Sequence, residues 1–230
     1  MSTSHSDRNI DLLETVPQQN REKPLPMGRR ERRAAETRVR LFRSALQLFS
    51  ERGFPNVTVE DITQAADVGK GTFFNYFESK DHVLGVMAEI QLSKVKEAAL
   101  LAGKGKQTIG SILHRMFLRL AEEPGRSPDL ARALISSFLA NEGVRTVIKR
   151  HMAEGRGRVA EVVAAGQERG EIDTHLQKEA VAIQLLQTVM GTVLLWSLEG
   201  EPPLQACIEE SFQHFWRGIA ASSQDQEGSI

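Results

Sequence analysis

The chain has 230 residues, 29 Lys and Arg against 30 Asp and Glu, and is 40% hydrophobic and 26% charged. That composition excludes a mostly disordered or collagen-like chain and suits one or two globular domains with a core large enough to need no staples. A single cysteine, Cys207, excludes an intramolecular disulfide framework and a multi-cysteine zinc site and fits a reducing cytoplasm. Residues 1–28 hold no apolar run of signal-peptide length, so a cytoplasmic protein is expected.

The net charge of −1 hides an uneven distribution. Residues 21–80 carry twelve Lys or Arg against eight Asp or Glu, and residues 29–43 alone hold seven arginines and two glutamates. Residues 81–230 reverse the balance, with sixteen basic against nineteen acidic. A basic front end on a mildly acidic body fits a polyanion partner or a solvated arginine-rich helix face.

In chain order, residues 1–28 are rich in Ser, Gln, Asn and Pro without periodicity and read as a disordered arm; residues 223–230 read as a flexible tail. A first helix is expected from about Arg32 to Arg52, because Ala35, Phe42, Ala45, Leu46 and Phe49 form one stripe at helical spacing. Gly53 and then Pro55 stop it. Thr58 caps a short second helix with Glu60 and Asp61 in its first turn. Asp67-Val68-Gly69 is a turn, and a third helix spans about Lys70 to Phe77. Ser79 caps a fourth, running to about Leu101. Ile109, Ile112, Leu113, Met116, Phe117 and Leu120 mark a fifth, ended by Pro124-Gly125. Pro128 opens a sixth with Leu130, Leu134, Phe138 and Leu139 inward. The seventh is interrupted around Gly155 to Gly157. Thr174 and Gln177 form a capping box for the eighth, and Pro202-Pro203 precede a ninth carrying Leu204, Ile208, Phe212, Phe215, Trp216 and Ile219.

Helices two and three have the dimensions of a helix-turn-helix, which lays its second helix in the major groove. Lys70, Thr72 and Asn75 point outward and can donate to base edges or phosphates. Gly71 lets the backbone approach DNA. Phe73 and Phe77, four apart, read as core anchors. Lys80 at the N-terminus of helix four reads as a phosphate contact.

Three runs carry a resemblance: Ala45-Leu46-x-Leu48-Phe49-x-Glu51-x-Gly53-Phe54; Val57-Thr58-Val59-x-x-Ile62; and Ala65-Ala66-x-Val68-x-Lys70-Gly71-Thr72-Phe73-Phe74-x-Tyr76-Phe77-x-Ser79-Lys80-Asp81-x-Val83-Leu84. On these, Thr37 to Val86 resembles the DNA-binding domain of the TetR family of bacterial transcriptional regulators. The resemblance implies base contacts from Lys70, Gly71 and Thr72 and phosphate contacts from Thr58, Tyr76 and Lys80. Asp67 departs from the usual turn glycine but tolerates a left-handed backbone. Phe74 stands where a phosphate-bonding tyrosine is common and is left out of the site.

Ala180 to Leu198 is apolar at 13 of 19 positions. Two mid-span glutamines and acidic flanks speak against a membrane span, so this helix is expected to be buried on both sides, against its own domain and a partner. With helix nine it forms a four-helix homodimer interface, near residues 176–199 and 203–221; a monomer with a large core is the alternative. The resemblance likewise implies dimerisation by helices eight and nine and a ligand pocket among helices four to seven. His114, Phe117, Phe138, His151 and Met190 are candidate pocket residues, each of which has an ordinary core or surface reading as well.

The run Gly103-Lys104-Gly105-Lys106-Gln107-Thr108 lacks the spacing of a phosphate loop. The histidines are scattered without metal-ligand spacing, and no GxSxG elbow occurs. No enzyme, cofactor or metal site is expected. The expectation is all-α: a helix-turn-helix domain over residues 29–84 and a ligand-binding and dimerisation domain over 85–222. Its function is ligand-responsive regulation, chiefly repression at a palindromic duplex operator relieved by an unidentified small molecule. An effector-independent regulator or architectural DNA-binding protein is the alternative.

Overall fold

A computed structural model describes residues 29–140 and 142–221; the expected disordered arm (1–28) and flexible tail (223–230) lie outside the described residues. The described chain is helical throughout, with one antiparallel bridge between Ile172 and Ala220.

Helix α1 (Arg29–Arg52) starts three residues earlier than the apolar stripe suggests. Arg, Glu and Ala are good helix formers, and nothing between Gly28 and Arg32 breaks the turn. Its inward face, Leu41, Phe42, Ala45, Leu46 and Phe49, is buried. Gly53 ends it at φ 77°, donating its N–H to Phe49 O at 3.0 Å. A 3-10 turn, Phe54–Asn56, leads to α2 (Val59–Ala65). Asp67, at φ 50°, turns the chain into α3 (Lys70–Phe74), which is one turn shorter than expected. Phe73 and Phe77 are sealed beneath it, with ring centroids 5.4 Å apart; replacing either with Ala would cost about 3–5 kcal/mol.

Helix α4 (Lys80–Lys104) is capped by Ser79, whose Oγ accepts from His82 N at 3.2 Å, and it closes on Gly105 at φ 66°. Then come α5 (Ile109–Ala121), α6 (Pro128–Ala140), α7 (Glu142–Glu168), α8 (Lys178–Glu199) and α9 (Leu204–Ile219). Four expectations change here. Helix α7 runs unbroken through Gly155 and Gly157, because it lies along α4 and Gly155 faces Leu92 across the seam. The eighth helix has no capping box: its N-cap is Gln177, without a side-chain bond. Gln167 Nε2 instead donates to Asp173 O and Leu176 O at 2.9 and 2.8 Å and holds that approach as a turn. Leu139 is 73% exposed rather than inward.

The fourth change concerns α9. Ile208, Phe212, Phe215 and Ile219 are buried against the chain's own core, where Phe117 meets Phe212 and Phe215 at 5.1 and 5.4 Å. That seam is therefore not free for a second subunit. Among the described residues, large apolar side chains left exposed at the rear are Leu100 on α4, Leu139 on α6 and, grouped on one helix, Ile183, Leu194, Leu195 and Leu198 of α8. Helix α8 is long and apolar enough to cross a membrane by length and composition, yet its Val181, Ala182, Leu185, Val189, Val193 and Trp196 are core residues.

Two apolar clusters result. The rear one joins the C-terminal part of α4 with α5, α7, α8 and α9. The front one joins α1, α2, α3 and the start of α4, continues to Ile90, and takes in Leu130 and Leu134 of α6 and Val144 and Ile148 of α7.

Candidate nucleic-acid interface and rear cavity

The front end is built around a capping box. Thr58 Oγ1 accepts from Asp61 N at 3.1 Å while Thr58 N donates to Asp61 Oδ2 at 2.7 Å. Two backbone donors at the start of α2 are thereby satisfied reciprocally. The Asp61 carboxyl is held below its ordinary range, first by the Thr58 side-chain and backbone hydrogen bonds and then by Arg52 at 3.3 Å.

Lys70 and Gly71 are exposed at the start of α3, and a Cβ at Gly71 would meet no atom within 4 Å. A flat surface such as the edge of a base pair can reach this backbone without obstruction. Lys70 Nζ pairs with Glu60 Oε1 across the turn, and that hydrogen bond is the largest cause lowering the Glu60 carboxyl below its ordinary value. The pair is exposed on both sides, where solvent screens the attraction, so a duplex can exchange Glu60 for phosphate or a base acceptor at small cost. Thr72 is half-buried, Asn75 is exposed at the end of α3, and Tyr76 is half-buried against the front cluster.

Lys80 is turned inward. Its Nζ donates to Phe54 O at 2.7 Å and Val57 O at 2.8 Å and lies 4.3 Å from the centre of the Phe54 ring. Burial lowers its pKa. Two of its three donors thus clamp the loop before α2 to the start of α4. Nothing in the local sequence announces this, because the acceptors lie more than twenty residues upstream.

In the rear half, a cavity of about 180 Å³ opens between α4, α6, α7 and α8, with walls that are almost wholly aliphatic, aromatic and methionine. Phe138, His151, Met152 and Met190 stand on its wall, together with Gln91 and Arg156, which the pocket candidates did not include. Two candidates do not belong to it. His114 Nε2 bonds Glu209 Oε2 at 2.6 Å on the outer edge of α5 and α9, and Phe117 is sealed in the core against α9. Helical periodicity showed that this face of α5 is covered, not whether by packed side chains or by a void. Met87, Leu134 and Ile148 belong both to the cavity wall and to the front apolar cluster.

Deep in the same half, Lys94 has a fully buried side chain whose Nζ donates to Arg119 O at 2.6 Å and Glu123 Oε2 at 2.5 Å. Gln91 Nε2 also donates to Glu123 Oε2, at 2.9 Å. Among the described residues no group of three or more His, Cys, Asp or Glu is placed to hold a metal ion.

A basic α1, a capped α2, a left-handed turn and an exposed glycine-bearing α3 define a helix-turn-helix DNA-binding protein with a helical rear domain. The profile of the family described as "Bacterial regulatory proteins, tetR family" matches residues 41–87. The HTH-type transcriptional regulator TcmR of Streptomyces glaucescens is 31% identical over 165 residues, covering 68% of this chain and 71% of that protein. The HTH-type transcriptional repressor DhaR of Mycobacterium sp. (strain GP1) is 26% identical, covering 72% and 85%. The chain belongs to the TetR family of transcriptional regulators. Its fold is shared by the fatty acid degradation regulator FadR from Bacillus halodurans, with a TM-score of 0.67 and 19% identity over 86% of this chain and 98% of that one. FadR from Bacillus subtilis, solved in complex with stearoyl-CoA, has a TM-score of 0.62 and 19% identity, covering 79% and 98%.

Proposed function

We propose that the protein is a cytoplasmic repressor that binds a two-fold symmetric operator as a homodimer and releases it when a small molecule occupies the rear cavity. Lys70, Gly71, Thr72 and Asn75 would meet base edges, Thr58 and Tyr76 would meet phosphates, and Lys80 would orient this surface. The exposed Ile183, Leu194, Leu195 and Leu198 of α8 supply the dimer surface. Two reading helices about 34 Å apart, or a multiple of that, would face successive major grooves.

The observation that carries the effector response is the shared wall. Met87, Leu134 and Ile148 touch the cavity and also pack in the front cluster. A molecule that spreads the cavity acts on the same side chains that seat the reading head, so it can favour one head spacing over another. The repressor relative and the acyl-CoA-bound structural neighbour support the same reading.

The test begins by sequencing the genomic DNA that the purified protein retains. Inverted repeats with half-sites one helical turn or a multiple apart are expected, and non-repetitive fragments would overturn the reading. Titrating cavity-binding compounds against that operator then separates the alternatives. A saturating compound that leaves operator affinity unchanged would favour an effector-independent regulator.

A further inference from the structure

We propose that the cavity selects a small uncharged molecule, one or two rings in size, that donates a hydrogen bond to Gln91 Oε1. The proposal rests on the reading of the cavity as the effector site and goes further by naming the chemistry of its guest.

Gln91 Oε1 is one of two buried side-chain polar atoms without a hydrogen-bond partner among the described residues; the other is Trp196 Nε1, which is not on the cavity wall. A buried acceptor left open in a well-packed protein calls for a reason, and an absent guest is one. The orientation of the amide is fixed. Its Nε2 donates to Glu123 Oε2 at 2.9 Å, and turning the amide over would set its carbonyl against that carboxylate. Lys94, sealed beneath, holds Glu123 in place from the other side. Lys94, Glu123 and Gln91 therefore form a buried chain that ends in an unpartnered acceptor on a residue lining a largely apolar wall.

The other polar groups agree with a donor-bearing guest. His151 Nδ1 lies 2.9 Å from Val147 O, so that nitrogen carries the proton, and in the neutral ring Nε2 is left as a second acceptor. Among the described residues, Arg156 is the only Lys or Arg on the wall. It is partly exposed, so its stem can line the cavity while its guanidinium stays hydrated. The volume sets the size: an apolar cavity of about 150 Å³ holds benzene, so about 180 Å³ suits one or two rings.

The probes are 1-naphthol, naphthalene and 1-naphthoate, titrated calorimetrically into the full-length protein at neutral pH. The expected result is 1-naphthol binding about tenfold or more tightly than either relative. In Gln91→Met, naphthalene should bind as well as 1-naphthol. Gln91→Asn, which keeps an amide but withdraws it, should lose most of the preference, and thermal melts of both variants check that they fold. Ile135→Phe, which fills the cavity, should weaken all three probes.

Naphthoate binding tightest would overturn the proposal in favour of Arg156, and a naphthol preference surviving in Gln91→Met would overturn it outright. Equal binding of naphthol and naphthalene to the parent protein, blocked by Ile135→Phe, would overturn the polar anchor while leaving the cavity as the effector site. Binding indifferent to Ile135→Phe, or no binding of any probe, would overturn both.

Discussion

Ser50 Oγ at the end of α1 and Ser127 Oγ at the start of α6 lie 2.6 Å apart, a direct hydrogen bond between the reading head and a helix of the cavity wall. Ser127 Oγ also accepts from Leu130 N at 3.1 Å, so it caps α6 as well. The two hydroxyls are therefore not equivalent. Ser50→Ala should lower stability by about 0.5–1.5 kcal/mol, the net worth of one hydrogen bond. Ser127→Ala should cost more, since it also forfeits a cap worth about 0.5–2 kcal/mol. Urea unfolding of the two variants, compared at equal m-value, checks the order.

On the proposed reading surface, the exposed Glu60–Lys70 pair would compete with DNA for the Lys70 ammonium. Lys70→Ala or Thr72→Ala should weaken specific operator binding by about 1–3 kcal/mol. Glu60→Gln should act in the opposite direction, tightening binding, because it frees the Lys70 ammonium and removes a negative charge facing DNA. Fluorescence anisotropy with a labelled operator at several salt concentrations would show both. Weaker binding by Glu60→Gln would contradict this account of Lys70.

For Lys80 the geometry predicts a mainly structural effect. Lys80→Met should lower stability by about 1–3 kcal/mol, because it leaves the Phe54 and Val57 carbonyls short of a charged donor. The slope of log affinity against log salt should change by well under one unit. A drop of about one unit with stability unchanged would restore the plain phosphate contact.

Acid should loosen the head. The Asp61 carboxyl titrates below its unfolded value near 3.8, held down by Thr58 and then Arg52. Its ionised form is thus favoured by folding. That stabilisation is complete above pH 3.8 or so and is lost as pH falls through the lower folded value. Asp61→Asn should flatten the acid limb of a stability profile measured by urea unfolding from pH 7 to pH 2, and leave the profile above pH 5 level. An acid limb identical to the parent's would mean that Asp61 is not part of it.

Much of the head was legible in the sequence because its signals are local. The stripe of α1, the Thr58 cap with acids behind it, and Asp67 at a left-handed turn each follow from neighbours a few residues apart. What failed to show depends on distant partners. Gly155 and Gly157 look like a break until α4 is laid against them. Lys80 reads as a phosphate contact until the Phe54 and Val57 carbonyls, 26 and 23 residues upstream, are brought to it. His114 and Phe117 share the helical spacing of a cavity wall, yet α9 covers them. Lys94 gave no signal at all, since a lysine among apolar neighbours on a long helix reads as an exposed residue until Glu123 folds over it.

That last residue has an experimental use. Dissolved electrolyte damps exposed charges beyond about 8 Å at physiological strength and reaches buried ones far less. Raising potassium chloride should therefore strip DNA from the head while the Lys94–Glu123 bond, and the amide it steadies, stay as they were. Guest affinities measured in concentrated brine would report on the chamber alone, with the operator already gone.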